Sequence, residues 1–163
     1  ARAQSMVSGV CNACWLYDPL EESIKYKHGE YSEEIDIFEV FGKASKEENH
    51  RAYYAAVHRY PTPYVESLVN KKKYKLENRY TKVNVSYDFY EDFHIYGFLW
   101  TPELLIWYLD GKEVFRRKND FSKRPLHIIF DAEIMEVWDG LPKLEDLPSN
   151  FKIDYVRVWR KEE

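Results

Sequence analysis

The sequence predicts an all-β protein in which two antiparallel sheets pack as a sandwich. Segments with period-two alternation, rich in β-branched and aromatic residues, recur along the 163 residues with turn residues between them. Aromatic residues make up 17% of the chain, and they fit the pleated surface of a strand. Helical character is confined to two short patches. Many short strands with few helices are typical of an antiparallel sandwich.

Each element follows from a local pattern. The clearest is the hairpin Leu104–Lys118, in which Asp110–Gly111 supplies the turn between two hydrophobic strands. The predicted strands are Met6–Leu16, Glu34–Phe41, Tyr53–Tyr60, Tyr80–Tyr87, His94–Thr101, Leu104–Leu109, Glu113–Lys118, Leu126–Ile134 and Lys152–Arg160. Loops are expected at Asp18–Ser32, Lys43–His50, Pro61–Lys75 and Trp138–Asn150, and short helical patches at Glu47–Arg51 and Leu144–Leu147.

Length and composition exclude several classes of protein. The chain is long enough for a single domain over residues 1–163. Its net charge of −4 lacks the positive footprint of a nucleic-acid binder. No apolar run approaches the roughly 20 residues that a membrane-spanning helix needs. Cys11 and Cys14 precede a strand-like run and no other cysteine could complete a zinc set, so we expect two buried thiols.

Three carboxylates stand within one predicted strand, where acids are normally depleted. Glu34 and Asp36 share a face, whereas Glu39, five residues after Glu34, would point the other way in a regular strand. A β-bulge at Ile37–Phe38 would insert one residue and return Glu39 to the common face. Without the bulge, one acid would be buried against the opposite sheet at a large desolvation cost. We therefore predict the bulge.

Three acids on one face suit hydrolysis of a glycosidic bond with retention, which requires two carboxyl groups about 5–5.5 Å apart. In this hypothesis Glu34 attacks the sugar, and Glu39 is the general acid and base. Asp36 would help to hold Glu34 ionised by hydrogen bonding, and its charge would raise the pKa of Glu39. The alternative is a solvated acidic strand edge that opposes aggregation.

Beyond these three acids, the chain resembles glycoside hydrolase family 16 over nearly its whole length. Glu34–Glu39 is similar to the family's E-x-D-x-x-E signature. The other similar segments follow one another in the family's order, and it is this ordered set that carries the resemblance. These segments are Ala1–Ala3, Cys14–Leu16, Phe93–Pro102, Trp107–Gly111 and Asp154–Trp159.

The resemblance implies a β-jelly-roll sandwich with a substrate cleft on its concave sheet, and endo-hydrolysis of a β-linked polysaccharide with retention. His127–Glu133, followed by Trp138 and Gly140–Pro142, is similar to the branch of agarases, porphyranases and κ-carrageenases. The implied substrate is therefore an algal galactan, namely agarose, porphyran or carrageenan. Laminarinases share the longer catalytic signature, so a β-1,3-glucanase is the alternative within the family.

The resemblance also bears on the completeness and location of the domain. Family members have several strands ahead of the segment that begins here at Ala1, so we expect an N-terminally incomplete jelly roll. The alternatives are a fragment, a truncated reading frame, or a domain that a partner chain or a swapped segment completes. A polysaccharide substrate implies a secreted, periplasmic or cell-surface protein. We expect no cofactor and no catalytic metal, because carboxylates spaced along a strand do not resemble a calcium-binding loop.

Five further residues are candidates for substrate binding. Trp15 could stack on a sugar or pack in the core, and His58 could bond to a sugar hydroxyl or be structural. His94 is expected to face the cleft, where it would support the nucleophile, or else simply to pack. Glu133 stands in an apolar run where an unpaired acid would be costly, which favours a sugar-hydroxyl acceptor. Trp138 is a candidate stacking platform.

Two functions from other classes stay open. A non-catalytic carbohydrate-binding sandwich would bind sugar without turnover, and Glu34→Gln would leave it unchanged. A lectin-like structural module that uses only its aromatic residues would be favoured if Glu34 and Glu39 lay on opposite faces.

Overall fold

Eight strands in the described part of the chain form two antiparallel sheets. The computed structural model describes residues 1–5, 8–18, 31–61, 77–120 and 124–162. One sheet has five strands in the order β4-β3-β2-β1-β8, and the other has three in the order β5-β6-β7. The bounds are β1 Val10–Tyr17, β2 Tyr31–Phe41, β3 Ala52–Pro61, β4 Glu77–Asn84, β5 Tyr96–Trp100, β6 Leu104–Leu109, β7 Lys112–Lys118 and β8 His127–Ile134. The predicted sandwich is confirmed.

The two sheets enclose one apolar core. Ile35, Val40 and Val57 of the five-stranded sheet are fully buried in it. Trp107 of the three-stranded sheet is also fully buried, and its Nε1 donates a hydrogen bond to the backbone oxygen of Asp36 at 2.9 Å. Besides burying a large aromatic surface, this residue therefore ties the smaller sheet to the back of β2.

The face of the five-stranded sheet that is turned away from the three-stranded sheet carries polar groups, and we call it the outer face. Neighbouring residues of a strand point to opposite sides. Because Ile35 points into the core, Glu34 and Asp36 lie on the outer face. His58 lies there for the same reason, since its neighbour Val57 belongs to the core. The alternation of side chains along β2 and β3 thus gives the sheet one apolar face, in the core, and one polar face.

The hairpin between β6 and β7 turns where the sequence predicts. Asp110 and Gly111 have φ angles of 50° and 77°, and Leu109 pairs with Lys112 on either side of them. Two consecutive residues in the left-handed region are typical of a two-residue type I′ turn, which favours Asp-Gly.

The predicted closing strand, Lys152–Arg160, is wrong. Lys152 forms only an isolated bridge with Arg2, and no strand of the described residues pairs with residues 153–162. A strand persists when a neighbour satisfies its backbone groups, and this segment has no such neighbour in the described ranges. Val158 and Trp159 are accordingly 75% and 79% exposed. Completion by a partner chain or a swapped segment stays a prediction.

Smaller differences concern element ends. β4 covers Glu77–Asn84 instead of Tyr80–Tyr87, because its ladder with β3 ends where Asn84 meets Ala52. A four-residue helix, α1, at Glu136–Asp139 was not predicted. The 3₁₀ turns at Glu47–Asn49 and Leu144–Asp146 confirm the two helical patches. Met6 and most of the predicted loops Asp18–Ser32 and Pro61–Lys75 lie outside the described residues.

Cys11 and Cys14 are buried free thiols, as predicted. Burial raises the pKa of both thiols, so neither is a ready nucleophile. In the described ranges, no helix is both long and apolar enough to cross a membrane.

Candidate active site

A β-bulge in β2 brings the three acids to one face. Against β3, Asp36 pairs with Ala56 and Glu39 pairs with Tyr54, so three residue steps on β2 match two on β3. The ladder with β1 shifts at the same point. One residue is therefore extra, which confirms the predicted bulge at Ile37–Phe38.

Core packing explains why the bulge lies here. Ile35, Phe38 and Val40 all point into the core, with exposures of 0%, 3% and 0%. A regular strand cannot bury residues three apart on one face, because its side chains alternate with a period of two. The extra residue resolves this conflict, and the same step turns Glu39 to the outer face with Glu34.

Glu34 and Asp36 share a histidine. Nε2 of His58 lies 3.1 Å from Oδ2 of Asp36 and 3.8 Å from Oε1 of Glu34. The hydroxyl of Tyr60 donates a hydrogen bond to Oε1 of Glu34 at 3.1 Å. His58 is the cross-strand partner of Glu34, and Tyr60 lies two residues further along β3 on the same face. Both side chains therefore reach the Glu34 carboxyl group.

The environment of the acids raises their pKa values to different extents. Burial and the charge of Asp36 raise the pKa of Glu34 to about 7, although His58 and Tyr60 act in the opposite direction. Burial and the charge of Asp36 raise the pKa of Glu39 to about 8. Around pH 7.5, Glu34 is therefore the more ionised of the two carboxyl groups and Glu39 the more protonated.

Asp36 acts only partly as predicted. Its charge raises the pKa of Glu39, as expected, but it also raises the pKa of Glu34. The expectation that Asp36 holds Glu34 ionised is therefore wrong. That effect comes from His58 and Tyr60, because a positive charge or a hydrogen-bond donor beside a carboxylate stabilises its ionised form.

Sequence reasoning missed Asp131 of β8. Its Oδ2 accepts a hydrogen bond from Nε1 of Trp15 at 3.0 Å, and its negative charge contributes to the raised pKa values of Asp36 and Glu39. The strand alternation that places Glu133 on the outer face would also have placed Asp131 there, two residues earlier. Tyr60 was missed in the same way, two residues after His58.

Trp15, Glu133 and Trp138 lie around the acids. Trp15 is half-buried on β1, with its indole nitrogen bonded to Asp131. Glu133 is exposed, because β8 is one of the two edge strands of the sheet that the described residues form, so the predicted cost of burying it does not arise. Trp138 in α1 is 43% exposed, and its ring centroid is 5.7 Å from that of Tyr54. The substrate-binding roles of these residues stay predictions.

His94 lies away from the acids, contrary to expectation. Its Nδ1 is 2.8 Å from Oδ2 of Asp110 in the β6–β7 turn, and its ring stacks on Tyr87 with centroids 4.5 Å apart. The side chain of Tyr96, two residues later, stacks on Phe38 in the core. The face that His94 shares with the following strand is therefore the core face, and the histidine supports the hairpin instead of the nucleophile.

One set of side chains could hold a metal ion. Ligand atoms of Glu34, Asp36 and His58 all lie within 4.8 Å of one another, and this is the one such group among the residues described. An imidazole and two carboxylates are suitable ligands for a divalent transition metal. The same three groups are also explained as an ion-paired network, and the absence of a catalytic metal stays a prediction.

Comparison with known proteins places this arrangement in a family. Over residues 1–161 the chain matches the family described as "Beta-porphyranase A-D, GH16 domain". A κ-carrageenase of Pseudoalteromonas carrageenovora is 23% identical over 170 residues, covering 98% of this chain and 42% of that protein. The chain therefore spans less than half the length of this relative.

Solved structures show the same fold. The κ-carrageenase of Pseudoalteromonas carrageenovora, in complex with an oligotetrasaccharide of κ-carrageenan, superimposes with a TM-score of 0.67 at 20% identity, over 91% of this chain and 57% of that chain. The laminarinase catalytic domain of Thermotoga maritima gives a TM-score of 0.61 at 20% identity, over 90% and 56% of the two chains. The predicted jelly-roll sandwich is confirmed.

Carboxyl groups gathered on one face of a sheet are an arrangement that glycoside hydrolases use. Within that class, the chain belongs to glycoside hydrolase family 16.

Proposed function

We propose that the outer face carries the site of a retaining, endo-acting β-galactanase, with an algal galactan as substrate. The observation that carries the proposal is the bulge that gathers Glu34, Asp36 and Glu39 on one face, with Glu34 partnered by His58 and Tyr60. The match to the porphyranase family and the similarity to κ-carrageenase support a galactan. A polysaccharide is a large polymer that the protein would meet outside the cytoplasm, so we also propose an extracytoplasmic location.

The mechanism follows from the two carboxyl groups. The Glu34 carboxylate attacks the anomeric carbon while Glu39 gives its proton to the leaving oxygen, so that the glycosidic bond breaks as a glycosyl ester of Glu34 forms. Glu39 then takes a proton from water, whose oxygen attacks the same carbon and displaces Glu34. Two inversions at the same carbon give net retention. The proton taken from water leaves Glu39 protonated for the next turnover.

The substrate is tested by measuring reducing ends released from porphyran, agarose, κ-carrageenan and laminarin. We expect release from at least one galactan and none from laminarin, with the β-anomer as the first product in NMR spectra. Glu34→Gln protein is the control for contaminating activity. Release from laminarin alone would favour a β-1,3-glucanase, for which the similarity to a laminarinase structure is the supporting observation. Binding without release would favour a carbohydrate-binding module.

Replacing Tyr60 by phenylalanine tests how Glu34 is kept ionised. Without the hydroxyl's hydrogen bond, the pKa of Glu34 should rise further, because its carboxylate loses a donor. The acid limb of the kcat/KM profile should move to higher pH, which lowers activity at pH 6 roughly three- to tenfold. Tyr108→Phe is the matched control, since Tyr108 belongs to β6 of the other sheet and points away from the core, next to the core residue Trp107. An acid limb that does not move would contradict this role of Tyr60.

A further inference from the structure

A buried carboxylate joins three separate segments at one end of the outer face. Asp139 is completely buried, and its Oδ2 accepts hydrogen bonds from the backbone nitrogens of Gly9 and Ser45, each at 2.8 Å. Its Oδ1 accepts from the backbone nitrogen of Lys46 at 2.9 Å and from Nδ2 of Asn49 at 3.1 Å. Four donors offset the cost of burying this charge.

The three segments meet at the end of β2 that is nearer to Glu39 than to Glu34. Gly9 precedes β1, Ser45 follows β2, and Asp139 ends the helix α1 that follows β8. Burial alone would raise the pKa of Asp139, but the hydrogen bonds from Ser45, Lys46 and Gly9 lower it, so the group stays ionised at neutral pH. Asp139 is therefore a permanent acceptor that links the loops at this end of the sheet.

The same network reaches two aromatic side chains. Nδ2 of Asn49 also donates to the backbone oxygen of Trp138 at 2.8 Å, and the hydroxyl of Tyr54 donates to Oδ1 of Asn49 at 2.8 Å. The Trp138 ring lies against Tyr54 and against Phe41, with centroids 5.7 and 6.1 Å away. Asn49 thus connects the Asp139 carboxylate with both Trp138 and Tyr54.

The position of these rings suits a sugar. Tyr54 is the cross-strand partner of Glu39, so the pair of rings stands next to the proposed general acid. Trp138 keeps 43% of its surface exposed while its backbone is fixed by hydrogen bonds. A partly exposed, rigidly held aromatic face is the kind of surface on which the apolar face of a pyranose ring stacks.

We propose that Asp139 is a positioning residue, which acts through Asn49 to hold Trp138 and Tyr54 as the aromatic wall of a sugar subsite at the Glu39 end of the outer face. This proposal rests on the proposed function, because it assigns the subsite to the same polysaccharide. Asp139 itself touches no substrate. Its effect is on affinity, through the orientation of the rings.

The test is the variant Asp139→Asn, which keeps the shape of the side chain but replaces one acceptor oxygen by a donor. We expect KM for the galactan to rise about tenfold, the factor for losing roughly one stacking contact, while kcat changes less than about twofold. Trp138→Ala should raise KM by a similar factor. The loss in the double variant should be smaller than the product of the two single losses, because Asp139 acts in part through Trp138. Asp146→Asn, in the following loop, is the matched control.

Direct binding separates this proposal from the proposed function. Affinity of a galactan oligosaccharide, measured by tryptophan fluorescence in the Glu34→Gln background, should fall by the same factor in Asp139→Asn, whether or not the chain cleaves. If Asp139→Asn does not fold by circular dichroism, Asn49→Ala carries the test, because it cuts the link to both rings. An unchanged affinity in the folded variant, or losses that multiply in the double variant with Trp138→Ala, would overturn the proposal.

Discussion

Glu34→Gln should abolish cleavage of the polysaccharide and leave its binding intact. Glutamine keeps the size of the side chain and can still accept a hydrogen bond from Tyr60, but it cannot form the glycosyl ester. Loss of a nucleophile on which every turnover depends lowers kcat by a factor on the order of 10⁴ or more. Reducing-end release and oligosaccharide affinity, measured on the same preparation, give the two quantities.

Chemical rescue makes this result specific to the nucleophile. In Glu34→Gly, azide can enter the space of the lost carboxylate and attack the same carbon, so turnover of a substrate with an activated leaving group should return. The product is then a glycosyl azide of inverted configuration, which NMR identifies. Glu103→Gln, an exposed acid before β6, is the matched control and should retain activity. Unchanged cleavage by Glu34→Gln would remove Glu34 from the mechanism.

Glu39→Gln should lower kcat on polysaccharide by about 10² to 10⁴, the range typical for the loss of a general acid and base. With an aryl glycoside, the rate of the step that breaks the glycosidic bond should fall much less, because a good leaving group departs without a proton. Values of kcat/KM on the two kinds of substrate measure this difference, because kcat/KM reports the first step, in which the leaving group departs. An equal loss on both would contradict the assignment of Glu39 as the proton donor.

The pH dependence of kcat/KM tests the same roles of Glu34 and Glu39. The proposed mechanism requires Glu34 ionised and Glu39 protonated, so kcat/KM should rise as pH increases through the pKa of Glu34, about 7, and fall through that of Glu39, about 8. In Glu39→Gln the alkaline limb should disappear, since glutamine does not titrate. An alkaline limb that persists in this variant would mean that another group sets it.

The raised pKa of Glu39 also affects stability. Unfolded Glu39 titrates near its ordinary value of 4.5, whereas the folded group titrates near 8, so between these values the native state binds more protons than the unfolded state. Stability therefore falls as pH rises through this window. Because Glu39→Gln removes this contribution, its Tm relative to the unmodified chain should be higher at pH 8 than at pH 5.

The outcome for particular residues shows how far sequence reasoning reached. The bulge was predictable from the acids, because Glu34, Asp36 and Glu39 can share one face of a strand only if an extra residue is inserted. The sequence left open whether His58 and Trp15 face the core or the outer face, and only the burial of their neighbours Val57 and Leu16 in the core decided it. Asp131 and Tyr60 were within reach of the same rule, but nothing local marked them as partners of Trp15 and Glu34.

The failures have a different cause. His94 has the alternation of a strand residue, but whether its face lies in the core or on the outer face depends on which sheet its strand joins. Lys152–Arg160 has strand propensity, but a strand also needs a neighbour, and none pairs with it in the described ranges. In both cases the deciding contact comes from a residue distant in the sequence, which a local pattern does not contain.

The sequence by itself determined the all-β class and the bulge that gathers three acids on one face, because side-chain alternation and the cost of burying charge act within a single strand. Only the tertiary structure decided that His58 and Tyr60 stabilise the Glu34 carboxylate, and that Asp139 links loops 94 and 130 residues away. Hydrogen bonds and pKa values depend on distances between side chains from different strands, and those distances exist only once the sheet has paired.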